Sequence, residues 1–152
     1  MQTPDPKKTI SILNGLIETL KDGELGYHQA GDETKDADLK TLFAGYSYQR
    51  HEYAKVLQKA VFGLGDAKPE HDGSTAAALH RGWIGLKAAL TTQDRHAILA
   101  ECERGEDSAK KAYTEALADP DLSPDFKFIV QEQSAGILAA HNEVKKLRDL
   151  CA

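Results

Sequence analysis

The stretch ILAECERGEDSAKKAYTEAL, residues 98–117, constrains the fold more than any other. At about 100° per residue, Leu99, Cys102, Ala109, Tyr113 and Leu117 line one face of a helix. Glu106 falls near the middle of that face, where an amphipathic helix ordinarily carries an apolar side chain. The first part of the chain repeats the anomaly, with Glu24 amid Leu13, Ile17, Leu20 and Tyr27. Both acids follow a glycine, as Gly23-Glu24 and Gly105-Glu106. Carboxylates turned into a helical interior require partners there, so other helices must deliver them.

The punctuation of the chain supplies those helices. Asp5-Pro6 is an N-cap with proline at the first helical position, and the spacing predicts a helix from there to Ala30, closed by Gly31. A second is predicted from Asp36 to Phe62, with Leu39, Phe43, Tyr46, Tyr53, Leu57 and Val61 inward and Gly63 and Gly65 behind it. Ser74 caps a shorter third helix to about Leu90, whose apolar side is Leu79, Trp83, Leu86 and Leu90. Thr91 or Thr92 caps the fourth, which stops at Asp119-Pro120. Ser123-Pro124 opens the fifth, which runs to Asp149. With no competing strand pattern, the expected fold class is all-α.

An internal repeat groups these helices. An offset of 82 residues lays Gly23-Glu24 on Gly105-Glu106, and one of 83 lays Leu39 on Leu122, Arg50 on Gln133 and Val61 on Val144. Helices one and two therefore read as a hairpin that helices four and five repeat, with the third in the crossover. Two hairpins joined by one long crossover form the ferritin-like four-helix bundle.

At 152 residues the chain is read as a single domain spanning residues 1–152. Its net charge of −5 argues against a nucleic-acid or anionic-membrane partner. No apolar run is long enough to span a bilayer, and MQTPDPKK lacks a signal-peptide apolar core, so the default location is cytoplasmic. Cys102 and Cys151 make neither a disulfide framework nor a zinc spacing.

The runs ALHRGW (78–83), AECERGED (100–107) and LIETLKDGE (16–24) resemble an uncharacterised bacterial family of ferritin-like four-helix-bundle proteins, a domain of unknown function. The resemblance covers roughly residues 10 to 148. It implies a ferritin-like fold and self-association, with no established activity or catalytic residues.

Ferritin-like diiron proteins use Glu-x-x-His pairs, since residues three apart aim both donors at one ion. No glutamate here has a histidine three residues later. The inner faces carry Glu24, Arg50, Glu106 and Gln133 instead, and an arginine where a ligand should stand opposes a diiron centre electrostatically. The first reading is a buried polar network in which Arg50 forks between Glu24 and Glu106, leaving a charge of about −1 among the three. The second is a different metal site, built from Glu24, His28, Glu103, Glu106 and His141, donors suited to iron, manganese or zinc. His80 and Arg81 are candidates for the mouth of an anion site, set against the reading that Trp83 simply packs its helix onto the bundle. Glu18 and Asp22 read as solvated charge on the outer side of helix one.

Two functions follow. One is a non-enzymatic protein that acts by association, most simply as a homodimer, in a stress response by analogy with other ferritin-like families. The alternative is a carboxylate and histidine metal protein, of iron or manganese, with a redox or storage role. Whether the chain is an enzyme, and whether its cofactor is a metal or none, stays open at this stage.

Overall fold

The computed structural model describes residues 5–65 and 82–151. Among them are five helices and no strand: α1 (Pro6–Glu33), α2 (Ala37–Gly63), α3 (Leu86–Thr92), α4 (Arg95–Ala118) and α5 (Pro124–Asp149). The N-caps set three of the starts. Asp5 accepts from the Lys7 amide, Asp94 from that of His96 and Ser123 from that of Asp125. Pro6 and Pro124 take the first helical positions, where their missing N–H costs nothing.

Several boundaries differ from the sequence expectation, two of them for a local reason. Gly31 does not close α1, which continues to Glu33 and is capped by Thr34. A Cβ at Gly31 would lie 3.3 Å from that of Phe43 and 3.5 Å from the Lys40 carbonyl, so this glycine lets α2 approach. Neither Thr91 nor Thr92 caps α4. Their hydroxyls donate back to the Ala88 and Ala89 carbonyls at 2.7 Å, which ties them to α3. Gln93 then turns through φ 54°, leaving Asp94 to cap the next helix. The expected helix start at Ser74, and Leu79 on its apolar side, lie outside the described residues. Trp83 precedes α3 rather than riding on it.

End-to-end contacts fix the direction of each helix. Thr9 near the start of α1 donates its hydroxyl to the Asp121 carbonyl beyond the end of α4, at 2.7 Å. At the other end, the Lys35 amide donates to Gln93 Oε1, and Gln93 Nε2 donates to the Glu33 carbonyl, just before α4 begins. Helices α1 and α4 are thus antiparallel neighbours. Because α1–α2 and α4–α5 each form a hairpin, the long helices run up, down, down, up.

The apolar core divides into two clusters. One, with Leu13, Ile17, Leu57, Tyr113 and Ile137, lies toward the start of α1; the other, with Tyr27, Phe43, Trp83, Leu99 and Val144, lies toward its end. Gly23 on α1 and Glu106 on α4 fall between them, so a polar layer crosses the molecule at mid-height.

Trp83 joins the two hairpins at this level. Its indole would lie within 2.5 Å of a Cβ at Gly26 and nearer still to one at Gly105, so the two bare positions form a slot for it. Gly82, at φ 100°, sits against the Arg104 carbonyl and the Gly105 Cα. The glycines of the HRGW and ERGE runs therefore meet in space, which accounts physically for both.

Candidate functional site

The polar layer centres on one ion pair. Arg50 reaches in from α2 and Glu106 from α4, with side-chain exposures of 1% and 0%. Guanidinium and carboxylate meet fork to fork, Nη1 to Oε1 at 2.7 Å and Nη2 to Oε2 at 2.8 Å. Tyr27 donates its hydroxyl to Oε1 at 2.8 Å, and its ring lies 5.5 Å from the guanidinium carbon. Arg50 Nε donates to Gln49 Oε1 at 3.1 Å. Gly23 leaves room for the arginine, since a Cβ there would lie 3.1 Å from Nη1. Beside the pair, Tyr113 donates to Gln133 Oε1 at 2.7 Å, and Gln133 Nε2 donates to the Tyr53 carbonyl at 3.2 Å.

Burial pulls the Arg50 guanidinium down, but the charge and hydrogen bonds of Glu106 outweigh it and raise it above its ordinary value. Burial, reinforced by Glu106, pushes the Tyr27 hydroxyl well up, so it remains a donor. Burial likewise raises Tyr113, against the opposing charge of Arg50. The Cys102 thiol is also driven up, by burial first and then by Glu106 and Glu101, which removes it as a nucleophile. Arg50 and Glu106 balance, so the centre needs no counter-ion.

Glu24 is not part of this centre, a correction to the network expected from sequence. Its side chain is 28% exposed and pairs with Lys21 Nζ at 3.0 Å and His51 Nδ1 at 3.1 Å. Leu20, Gly23, Tyr27 and Ala30 form the inward stripe of α1, and Glu24 stands one step round from it, at the seam with α2. Tyr27 takes the inward place. The expected charge of −1 disappears with Glu24. Asp22 is corrected too: it is buried rather than solvated.

The five metal ligands expected from sequence are not brought together. Glu106 is committed to Arg50, Glu24 to Lys21 and His51, and His28 is exposed. Glu103 and His141 do converge, joined by Asp107, and one ligand atom from each lies within 4.8 Å of the others. Asp107 follows Glu103 by four residues, the helical spacing that could have revealed it. His51 had no comparable signal, because its partner comes from another helix. His80 and Arg81, expected at the mouth of an anion site, lie outside the described residues.

The family described as Domain of unknown function (DUF2383) matches residues 8–119. The chain belongs to that family. The DUF2383 match takes in α1 to α4, and with them Tyr27, Arg50, Trp83 and Glu106. Gln133 and His141, on α5, lie beyond it. No curated protein matches the sequence. Among the described residues, no helix is long and apolar enough to cross a membrane.

Proposed function

We propose that this chain is a ferritin-like four-helix bundle that acts by association, as a homodimer, and not by chemistry in its interior. The observation that carries the reading is the closed pairing of Arg50 with Glu106, where a ferritin-like metalloprotein gathers its ligands. A permanent cation fills that place, and both oxygens of the acid are spent on it. The up-down-down-up course of the long helices supports the ferritin-like reading. With that interior place closed, this reading puts the function on the outer faces. Leu25 and Tyr48 are exposed large side chains there, each next in sequence to one of the residues joined by the Ser47 hydroxyl and the Glu24 carbonyl. They offer the α1–α2 hairpin as a self-complementary face.

Sedimentation equilibrium on the full chain tests this. The wild type is expected to be a dimer and Tyr48→Glu a monomer of unchanged helix content. A wild type that stays monomeric at about 100 μM, a weak-dimer concentration, refutes the association reading.

A further inference from the structure

We propose that Glu103, Asp107 and His141 form a divalent transition-metal site of zinc or cobalt type on the seam between α4 and α5. This goes beyond the association reading and is independent of the dimer.

The donors come from two helices. Glu103 and Asp107 share a face of α4 by their spacing of four, and His141 enters from the antiparallel α5. His141 Nε2 lies 2.8 Å from Asp107 Oδ1, and its Nδ1 lies 3.1 Å from Asn142 Oδ1. Both ring nitrogens therefore face oxygen acceptors. A neutral imidazole has one N–H to share between them. With Nδ1–H donating to Asn142, Nε2 presents a lone pair beside the Asp107 carboxylate, and the amide fixes the ring as outer partners of ligating histidines do.

Glu103 supplies the third donor. Its Oε2 is withdrawn from solvent, with the Arg148 guanidinium as its charge partner. Arg148 Nη1 lies 2.5 Å from Oε2 but directs its hydrogen bond to Oε1, at 2.9 Å. Around an ion with bonds near 2.1 Å, tetrahedral donors sit about 3.4 Å apart. The three donor atoms lie within 4.8 Å of one another, and Asp107, whose side chain is 58% exposed, has room to adjust. Glu103 and His141 are nearly buried, with side-chain exposures of 12% and 9%. One nitrogen and two carboxylates leave a fourth position open to water, the ligand number of a catalytic-type rather than a closed structural zinc site. Two carboxylates balance the ion's charge. Arg148 competes for Glu103, so metal uptake must displace it, and any proton on Nε2 leaves as the metal binds.

The test is titration of the chelator-stripped full chain with Zn²⁺ by calorimetry and with Co²⁺ by visible absorption. One equivalent is expected to bind. Asp107→Asn, which alters an exposed side chain, and His141→Gln should each weaken binding by roughly 10-fold or more. Arg148→Ala should strengthen it several-fold, an effect with no counterpart if the trio only links the two helices. His51→Gln should leave it unchanged. Far-UV circular dichroism verifies that each variant folds, and Tyr48→Glu should bind metal like the wild type whatever its oligomeric state. No saturable uptake by the wild type, or uptake indifferent to both Asp107→Asn and His141→Gln, overturns the proposal.

Discussion

Arg50 and Glu106 are each harmful without the other. A buried pair contributes less than well-packed apolar residues would, yet removing one partner strands a charge and costs about 3–5 kcal/mol. Arg50→Ala is therefore expected to lower the unfolding free energy by about that amount, read from the urea midpoint at unchanged slope. The double variant Arg50→Met with Glu106→Leu should be more stable than either single change, because it removes both charges together. An unmoved midpoint in Arg50→Ala would mean that the pair does not hold the core. At this scale the sequence disclosed Arg50, Glu106 and Gln133 as inward polar groups, since each interrupts an apolar stripe. It misplaced Glu24 because a helical wheel gives an angle but not which neighbour fills it. One residue step separates the centre of the bundle from the α1–α2 seam, and Lys21 and His51 wait at that seam.

Between elements, bare Cα positions decide how closely helices approach. Gly105 and Gly26 form the slot for the Trp83 indole, and a methyl at either would collide with the ring. Gly105→Ala is expected to cost about 1–3 kcal/mol through overpacking. Gly15, in α1 with nothing within 4 Å of its would-be Cβ, is the contrasting case. Gly15→Ala should stabilise by up to about 1 kcal/mol through helix propensity alone. Thermal midpoints followed by circular dichroism should move in opposite directions for the two, and equal shifts would show that Trp83 does not need the slot. Helix starts marked by Asp5-Pro6 and Ser123-Pro124 were legible, because cap and proline act within one turn of chain. The closure of α1 and the cap of α4 were not. Gly31 serves a neighbouring helix, and Thr91 and Thr92 bond back into their own, neither of which local sequence encodes.

Across the whole molecule, polar clamps hold the hairpins at their ends. Arg95 at the start of α4 grips both carboxylate oxygens of Asp38 in α2, at 2.9 and 2.7 Å, and also reaches Asp36. The hydrogen bonds from Arg95 hold the Asp38 carboxyl below its ordinary value of 3.8. A depressed carboxylate stabilises the fold above its unfolded-state value and loses that contribution as pH falls through the folded one. Asp38→Asn should therefore destabilise modestly at pH 7, and the gap from wild type should shrink by pH 3, both read by urea unfolding. Exposure of the pair keeps the effect small, and a gap that widens in acid would contradict the assignment. Positions 83 apart share burial at this scale, as Arg50 and Gln133, Ala54 and Ile137, and Val61 and Val144 are all buried. The pattern breaks at Glu24 and Glu106, where one hairpin keeps its acid inside and the other gives the place to tyrosine.

The contacts of α1 with α4 also restrict how this protein can change shape. Thr9, Tyr27 and the turn at Glu33 and Lys35 are checkpoints spread along almost the full length of α1, each engaged across the interface. Sliding one helix past the other by a single turn, about 5.4 Å, would break all three together. Shear of α1 along α4 is thus opposed at three levels at once, whereas a hinge that parts the hairpins at one end would spare the contacts at the other.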